Sequence, residues 1–336
     1  MIRVGIVGAS GYTGQECVRI LSKHSQCKIV ALFANKLAGT TTQELFNNDS
    51  SLPKSFDTFD PNLDYDIDCL FLAVPHTTAH VLMSQIGKNK AYKVIDLSAD
   101  FRLSCVDRYN QTYNQKHSCS DLLEKFVYGV PELYFDAIKE SKFVANPGCF
   151  AIASILALFP LAANQLIDNA IIDAKTGVSG AGKALDESLL FCEVNEQVRA
   201  YKTNKHRHSV EINQACGINV LFSPHLVPMQ RGILASCYVT VNKSITKKDC
   251  VDIFNSCYKN QPFILINDSP VSPSTKHVVR SNMCELSIID TQNNGFVIFS
   301  AIDNLIKGSA GNAVQCMNIM FGLDQDFALD SIAQRV

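Results

Sequence analysis

The sequence lacks the features that mark membrane proteins, nucleic-acid-binding proteins and repeat proteins. No apolar stretch reaches the roughly 18 residues needed to span a bilayer. No long basic run occurs and the formal net charge is −2, so neither nucleic acid nor an anionic membrane is expected as a main partner. Internal repeats and low-complexity segments are also absent. We therefore expect a globular protein whose partners are small molecules.

The cysteines lack the pattern of a disulfide framework or a structural zinc site. There are 13 of them, with irregular spacing and no C-x-x-C pair. These features favour free thiols in a reducing compartment, so a cytoplasmic location is expected. The N-terminal residues Met1 to Val4 run directly into a predicted strand, so no signal peptide is expected.

The length and the order of apolar segments predict two domains. The chain has 336 residues, of which 47% are hydrophobic, and single cores rarely grow beyond about 300 residues. Before residue 148 the predicted strands alternate with helices, and residues 103–127 are polar and irregular. After it, strands come in pairs, including a hairpin across Asn293-Asn294-Gly295. We predict an α/β fold: a Rossmann-type dinucleotide-binding domain (1–148 and 309–336) with an inserted α+β domain (149–308) containing a mostly antiparallel sheet.

A glycine-rich loop follows the first predicted strand. Residues 2–7 read Ile-Arg-Val-Gly-Ile-Val, as expected of a buried strand, residues 8–14 read Gly-Ala-Ser-Gly-Tyr-Thr-Gly, and a helical pattern comes next. A strand, a glycine loop and a helix place a pyrophosphate at the helix N-terminus. The spacing is G-x-x-G-x-x-G rather than G-x-G-x-x-G, so an ordinary tight turn stays the alternative. The predicted contacts are Gly8, Ser10, Gly11, Tyr12, Thr13 and Gly14.

The end of the second predicted strand favours NADP over NAD. An acidic residue there would bind the ribose 2′-hydroxyl of NAD. The sequence instead continues from Phe33 to Asn35 and Lys36 without an acid. An amide and a lysine suit a 2′-phosphate, although Lys36 is also compatible with a solvated loop charge. We therefore expect NADP(H), bound in part by Asn35 and Lys36.

Two further strand ends carry candidate ligand residues. Pro75 closes the apolar run Asp68 to Val74, and Ser98 follows the strand at residues 93–96. Ligands of open α/β sheets lie at such carboxyl ends, so Pro75 and Ser98 are predicted to contact the coenzyme. Arg102 is compatible with a clamp on a carboxylate or phosphate and equally with a structural ion pair. His76 and His80 lack a nearby third ligand, so no metal site is expected.

The motif Asn146-Pro147-Gly148-Cys149 lies where a short apolar strand ends and a long apolar helix begins. Unpaired N–H groups and the helix dipole at this position favour the thiolate, which is the reactive form of cysteine. The structural alternative is that Cys149 is one more small buried hydrophobe. We take Cys149 as the candidate nucleophile.

Three segments after Cys149 carry further candidate residues. The loop from Lys175 to Lys183 is rich in glycine and cations, which suits close approach of a coenzyme and points to Ser179 and Gly180. Asn312 lies among small residues that open a helical run, Ala313 to Gly322. His208 and Glu211 share one face of a helix predicted to start at Ser209, and a carboxylate beside an imidazole stabilises its protonated form. His206 remains an alternative base, and a metal half-site or a surface cluster are the other interpretations.

Taken together, these motifs resemble those of the N-acetyl-gamma-glutamyl-phosphate reductase family, a relative of aspartate-semialdehyde dehydrogenase. The resemblance covers nearly the whole chain and rests on blocks in the family's order. Two departures occur: Ala151-Ile152 follow the cysteine and its aromatic neighbour where the family has Pro and Thr, and Asn35-Lys36 replace a Ser/Arg-type cluster. The blocks are residues 8–14, 96–103, 128–133, 146–149, 175–183, 206–211, 224–232 and 303–312.

The resemblance implies an enzyme of arginine biosynthesis that forms N-acetylglutamate 5-semialdehyde. Cys149 would attack an acyl phosphate, release inorganic phosphate and carry a thioester that NADPH reduces. His208, oriented by Glu211, would accept and return the thiol proton, with backbone N–H groups beside Cys149 holding the oxyanion. Arg102 and His206 would bind substrate, and a homo-oligomer, a dimer or a tetramer, is implied.

Two other functions remain compatible with the sequence. A reductase of aspartyl phosphate or aminoadipyl phosphate would use the same chemistry, although residues 96–103 and the His-Arg-His arrangement favour the acetylglutamyl substrate. A nucleotide-binding regulator without catalysis is disfavoured because Cys149, His208 and Glu211 are all present.

Overall fold

The computed structural model describes residues 1–47, 49–87, 90–267, 272–291 and 294–333. The chain divides into two compact units. The first comprises Met1–Pro147 and Ser309–Leu329, and the second comprises Gly148–Gly308 with the residues from Asp330 onward. The division predicted from the sequence instead placed Gly148 and Asp330 in the first domain. In the second unit the Asn282 N–H donates a hydrogen bond to the Asp330 carbonyl at 2.8 Å.

The first unit contains a parallel sheet in the order β2-β1-β3-β4-β6-β5. Each neighbouring pair in this sheet is parallel, which confirms the Rossmann-like α/β prediction. β3 is buried along its whole length, as its unbroken apolar sequence predicted. The strands are β1 (Ile2–Val7), β2 (Cys27–Phe33), β3 (Cys69–Leu72), β4 (Lys93–Asp96), β5 (Phe126–Tyr128) and β6 (Phe143–Ala145).

The helices of the first unit include one that the sequence did not indicate. Residues 103–127 were expected to be irregular, and this expectation is wrong: they hold α4, a short 3-10 helix (Ser120–Lys125) and β5. Only Tyr109 of α4 is buried, and the helix is mostly polar. The helices are α1 (Tyr12–Leu21), α2 (Gln43–Phe46), α3 (Ala79–Ile86), α4 (Val106–Tyr113), α5 (Pro131–Glu140) and α11 (Gly311–Met320).

The second unit contains a mixed sheet in the order β11-β12-β13-β10-β7-β9-β8. The pairs β11–β12 and β7–β9 are parallel, and the other four are antiparallel. β12 and β13 form the predicted antiparallel pair, whereas Asn293 of its turn lies outside the described residues. The strands are β7 (Ile167–Thr176), β8 (Arg199–Ala200), β9 (Val220–Leu226), β10 (Ile233–Val241), β11 (Ile264–Ile266), β12 (Cys284–Thr291) and β13 (Gly295–Ile302).

One face of this mixed sheet is covered by helices. The apolar helix α6 packs against β10 and β13, while α8 lies on β9 and α9 on β12. Leu, Ile and Ala residues dominate α6, and nearly all residues from Phe150 to Leu161 are buried, which makes it the central core element of the unit. The helices are α6 (Cys149–Ala163), α7 (Phe191–Val194), α8 (His208–Cys216), α9 (Lys247–Cys257) and α10 (Thr275–Val278), and a π-helix spans Ile306–Ala310.

Among the described residues, no helix combines the length and the apolar character that crossing a bilayer requires.

Candidate active site

Cys149 is the first residue of α6, as the sequence predicted. Gly148 is the N-cap in an extended conformation and offers no side chain to cap the helix. The first intrahelical hydrogen bond runs from the Ile152 N–H to the Gly148 carbonyl at 2.9 Å. The N–H groups of the first turn therefore lack helical acceptors, which favours an anion at this position.

Solvent access distinguishes Cys149 from the thiols of the core. Cys149 is half-buried. Burial raises the pKa of Cys216 and of Cys250 to about 12, so these thiols stay protonated at neutral pH and are poor nucleophiles.

Glu211 contacts both Gly148, the residue before Cys149, and the side chain of His208. Its Oε2 accepts a hydrogen bond from the Gly148 N–H at 2.9 Å, and its Oε1 lies 3.9 Å from His208 Nε2. Both side chains are almost wholly buried. The carboxylate thus caps α6 from a different helix and places a negative charge beside the imidazole.

The His208 ring packs directly against Gly148, the residue before Cys149. A Cβ atom built on Gly148 would lie 2.4 Å from His208 Nε2, so only glycine fits there. α8 begins at His208 itself, one residue before the predicted start. The structure therefore brings His208 and Glu211 to the start of α6.

His206 lies beside His208 but has a different protonation behaviour. Its Nδ1 accepts a hydrogen bond from the His208 N–H at 3.2 Å, and the two ring centroids are 4.6 Å apart. Burial, followed by the charges of Arg207 and Lys202, lowers the pKa of His206 to about 3. His206 is therefore neutral at physiological pH and a weak base, which favours His208 for proton transfer.

Gly308 and Tyr201 are site residues that the sequence analysis did not single out. A Cβ atom on Gly308 would lie 2.9 Å from Cys149 Cβ, so the π-helix approaches Cys149 closely. The charge of Cys149 contributes, after burial, to raising the pKa of Tyr201. The Tyr201 ring also contacts His206, with centroids 5.7 Å apart. These contacts join segments far apart in sequence and leave no local pattern.

The loop after β7 is held against the segment before β10. A Cβ atom on Gly177 would lie 2.7 Å from the Gln230 carbonyl, and the Ser179 N–H donates to that carbonyl at 3.2 Å. Ser179 is buried and its Oγ accepts a hydrogen bond from Asn304 Nδ2 at 2.9 Å. Gly180 is exposed beside it. The coenzyme contacts assigned to Ser179 and Gly180 stay predictions.

The glycine-rich loop of the first unit is tightly packed at two of its glycines and leads into a helix without a side-chain cap. Gly8 has a φ of +83°, and a Cβ atom there would lie 2.2 Å from the Ala73 carbonyl. A Cβ on Gly14 would lie equally close, 2.2 Å, to the Gly8 carbonyl. Gly11 is the N-cap of α1 and makes no side-chain cap, so the N–H groups near Tyr12 and Thr13 are directed out of the helix start. This is the arrangement that binds pyrophosphate.

The other residues of this unit that were predicted to bind the coenzyme are either exposed or hydrogen-bonded within the protein. Asn35 and Lys36 are exposed on a 3-10 helix directly after β2, and Pro75 is exposed after β3. Ser98 is buried and its hydroxyl donates to Asp96 Oδ2 at 2.9 Å. Asn312 is buried as well, and its Nδ2 donates to the Gly129 carbonyl at 2.7 Å.

Arg102 is buried, with its guanidinium directed at backbone carbonyls. Its Nε donates to the Asn146 carbonyl at 2.7 Å and its Nη2 to the Leu97 carbonyl at 3.1 Å. These contacts give Arg102 a structural role in holding the segment before Cys149. Its predicted role in substrate binding stays a prediction.

A buried carboxylate network fixes the loops after β3 and β4. Asp100 Oδ1 accepts from the Thr77 N–H at 2.8 Å and from the Tyr109 hydroxyl at 3.1 Å, and Oδ2 accepts from the His80 N–H at 3.1 Å. Burial and then the charge of Asp100 raise the pKa of Asp96 to about 7. His80 Nδ1 accepts from the Ser118 N–H, and within the described residues no group of three or more potential ligands surrounds a metal site.

Two family models match the chain, one in each unit. The model described as "Semialdehyde dehydrogenase, NAD binding domain" matches residues 3–141. The model described as "Semialdehyde dehydrogenase, dimerisation domain" matches residues 149–304.

Curated relatives match the chain over almost their full length. A protein of Campylobacter jejuni named N-acetyl-gamma-glutamyl-phosphate reductase is 43% identical, covering 99% of both chains. One of Desulforamulus reducens with the same name is 40% identical, covering 98% of both.

Solved structures share the fold at low sequence identity. Aspartate semialdehyde dehydrogenase II of Vibrio cholerae matches with a TM-score of 0.72 and 16% identity, covering 96% of this chain and 99% of that one. The enzyme of Candida albicans with NADP matches with a TM-score of 0.70 and 14% identity, covering 96% and 98%.

Proposed function

Because the chain belongs to the N-acetyl-gamma-glutamyl-phosphate reductase family, we propose that it reduces N-acetyl-gamma-glutamyl phosphate to N-acetylglutamate 5-semialdehyde. The reaction consumes NADPH, releases inorganic phosphate and contributes to arginine biosynthesis. The observation that carries this proposal is the cluster of Cys149, His208 and Glu211 at the start of α6, joined by the hydrogen bond from the Gly148 N–H to Glu211.

Covalent catalysis by Cys149 divides the reaction into two easier steps. His208 accepts the Sγ proton, and the thiolate attacks the acyl carbon. The bond from that carbon to the phosphate oxygen breaks, phosphate leaves, and a thioester remains on Cys149. Bound NADPH supplies a hydride for the thioester carbonyl. The carbon–sulfur bond of Cys149 then breaks, and the aldehyde departs from the regenerated thiolate.

His208 and the start of α6 have separate roles in these steps. The charge of Glu211, 3.9 Å from His208 Nε2, favours the imidazolium that forms when the thiol loses its proton. First-turn N–H groups of α6 can hold the oxyanion that develops on the acyl oxygen. His206, neutral at physiological pH because its pKa is about 3, suits a hydrogen bond to substrate rather than proton transfer.

The first unit fits a dinucleotide, and its composition after β2 supports NADPH. Gly8 and Gly14 let the loop pack tightly against the backbone of Ala73 and of the loop itself, and the start of α1, which has no side-chain cap, offers N–H groups to a pyrophosphate. Exposed Asn35 and Lys36 would bind the 2′-phosphate, and no acidic residue stands in the short 3-10 helix Asn35–Leu37. The other predicted contacts, Pro75, Ser98 and Asn312, belong to the same proposal.

We propose that the protein forms a dimer through the face of the mixed sheet that lies opposite the helices. Side chains of Ile171, Leu221, Tyr238, Val297 and Ile289 stand in one cross-strand row, and all but half-buried Val297 are exposed. The helices cover the other face. A contiguous exposed apolar row marks an interface, and this unit matches the dimerisation domain of the family.

None of the thirteen cysteines, all of which fall within the described residues, forms a disulfide. Free thiols persist in reducing compartments, which supports the proposed cytoplasmic location.

The test is an assay of the reverse reaction with two substrates. The purified protein is given NADP, phosphate and either N-acetylglutamate semialdehyde or aspartate semialdehyde. We expect phosphate-dependent NADPH formation with the acetylated substrate, at least about 100-fold faster by kcat/KM, since a site built for one polar group strongly rejects a substrate that lacks it. Preference for aspartate semialdehyde, or turnover without phosphate, would contradict the proposal.

A further inference from the structure

Asn304 joins two loops of the second unit, and its amide orientation is fixed by a backbone group. The Gly232 N–H donates a hydrogen bond to Asn304 Oδ1 at 2.7 Å. A backbone N–H can only donate, so the atom facing it must be the amide oxygen. The other terminal atom is then the NH₂ group, and it lies 2.9 Å from Ser179 Oγ.

This orientation determines how the Ser179 hydroxyl can act. An amide NH₂ only donates, so Ser179 Oγ is the acceptor of the Asn304 bond. The hydroxyl proton of Ser179 consequently points elsewhere. The described part of the chain offers no acceptor for this proton, although only 8% of Ser179 is exposed. A buried donor without a partner costs stability, and such a group is often completed by a ligand.

Ser179 belongs to the neighbourhood of the nucleophile through Asn304. Asp303, the preceding residue, places its carbonyl 3.2 Å from a Cβ built on Gly308, and the same Cβ would lie 2.9 Å from Cys149 Cβ. The Gly308 N–H also donates to that Asp303 carbonyl at 2.9 Å. Asn304 is itself buried. The loop that carries Ser179 is thus anchored to the segment that packs on Cys149.

We propose that Asn304 is a positioning residue that holds the Ser179 hydroxyl as a hydrogen-bond donor to an oxygen atom of a bound reactant. The inference rests on the proposed function for the identity of the reactants. Two sources carry such an oxygen: the carboxamide of the nicotinamide ring, and the carbonyl or phosphoryl groups of the acyl phosphate. Both require a donor, so the direction of the Ser179 hydroxyl is the common element.

Asn304→Asp reverses this direction with almost no change in shape. One carboxylate oxygen still accepts from the Gly232 N–H, while the other accepts the Ser179 proton and withdraws it from the reactant. Ser179→Ala removes the donor outright. Either single change should raise the dissociation constant or KM of the affected reactant roughly two- to tenfold, the range of one lost hydrogen bond.

The experiment is a double-mutant cycle with separate readouts for the two reactants. NADPH affinity is measured by the fluorescence of the bound coenzyme in full-length protein, which requires no turnover, and KM is measured for the acylated substrate. The variants are Asn304→Asp, Ser179→Ala and the double variant, with exposed Ser244→Ala as the control. We expect the double variant to resemble Ser179→Ala, since Asn304 acts through the hydroxyl.

The two arms identify the reactant that receives the hydrogen bond. A change confined to NADPH affinity assigns the acceptor to the coenzyme, and a change confined to substrate KM assigns it to the acyl phosphate. Unchanged values in both arms overturn the proposal, and so do additive effects of the two substitutions. If the buried carboxylate of Asn304→Asp prevents folding, Ser179→Ala alone decides, because unchanged values for both reactants contradict a donor role. Coenzyme binding can be measured even if the proposed reaction is wrong. A failure of the Asn304 proposal can therefore be told apart from a failure of the proposed function.

Discussion

At the scale of residues, solvent access and local charge decide which groups can react. Cys149 is half-buried at a helix start, while the pKa of buried thiols such as Cys216 rises to about 12. His206 and His208 are only two residues apart. Burial, followed by the charges of Arg207 and Lys202, nevertheless lowers the pKa of His206 to about 3. The same residue types thus receive different roles from their surroundings.

His208→Ala tests the assignment of the proton-transfer group. Loss of a positioned acid–base group lowers turnover by roughly 10²- to 10⁴-fold, and we expect a fall of kcat in this range with unchanged NADPH affinity. Steady-state kinetics and coenzyme fluorescence measure the two quantities. A kcat close to that of the unchanged enzyme would transfer the role to His206.

His206 is expected to weaken the fold in acid. In the unfolded chain its imidazole binds a proton below about pH 6.5, whereas the folded pKa is about 3. Between these values the unfolded state binds more protons, so the free energy of unfolding falls as the pH falls. From pH 6.5 to 5 this loss is about 2 kcal/mol.

His206→Asn removes this loss while keeping an acceptor for the His208 N–H. Urea unfolding at pH 6.5 and pH 5 should show a decline smaller by about 2 kcal/mol in the variant. Equal declines in both proteins would mean that His206 is protonated in the folded state.

The proposed catalytic residues could be singled out from local sequence, but the contacts that support them could not. Asn146 to Cys149 lies between a β-branched run and an apolar run, and His208 and Glu211 have helical spacing, so each has a nearby signal. The hydrogen bond from the Gly148 N–H to Glu211 joins residues 63 positions apart. The contact of Gly308 with Cys149 spans a still longer separation, and no sequence period records either one.

At the scale of elements, two helices at candidate sites are capped by carboxylates from elsewhere in their own unit. α6 begins at Gly148 without a side-chain cap, and Glu211 of α8 accepts its N–H. α3 has no cap from its own Thr78, and Asp100 accepts the N–H groups of Thr77 and His80. Capping by a distant carboxylate ties the start of α6 to another helix and the start of α3 to a loop of its own unit.

Asp100→Ala tests this capping in the first unit. The change leaves two N–H groups and the Tyr109 hydroxyl without their acceptor, which should cost about 2 kcal/mol of local stability. Hydrogen exchange should accelerate at the amides of Thr77 and His80. Exposed Asp107→Ala in the first turn of α4 is the matched control and should change exchange little. Equal exchange in the two variants would contradict the capping role.

The irregular prediction for residues 103–127 failed for a related reason. α4 exposes most of its surface and buries only Tyr109, whose hydroxyl donates to Asp100. Val106, Tyr109 and Tyr113 do have helical spacing, but the segment is short and mostly polar, so this stripe was not recognised. By contrast β3 and most of α6 are buried, and both were recognised from continuous apolar runs.

At the scale of the molecule, the chain leaves the first unit after Pro147 and returns to it at Ser309. The second unit therefore carries Cys149 at its very beginning and Gly308 at its end. The sheet of this unit turns helices to one face and an apolar row to the other, which is the feature that supports a dimer.

Tyr238→Glu tests the proposed dimer face. Tyr238 stands at the centre of the exposed row, paired with Ile171 and Val297 in the neighbouring strands. Loss of a central interface aromatic costs about 2 kcal/mol or more, so the dimer dissociation constant should rise roughly 30-fold or more. Sedimentation analysis measures the change, with exposed Leu63→Glu in the first unit as the control. The proposed interface would be contradicted if the protein without the substitution were monomeric, or if Tyr238→Glu had the same dimer dissociation constant.

The most direct test of the account is to trap the acyl group on the protein. The chain is mixed with N-acetyl-gamma-glutamyl phosphate without NADPH, and intact mass and peptide mapping are measured beside released phosphate. The account predicts one N-acetylglutamyl group per chain on Cys149, one phosphate released with it, and neither in Cys149→Ala. An acyl group on another residue, or reduction that proceeds in Cys149→Ala, would contradict it.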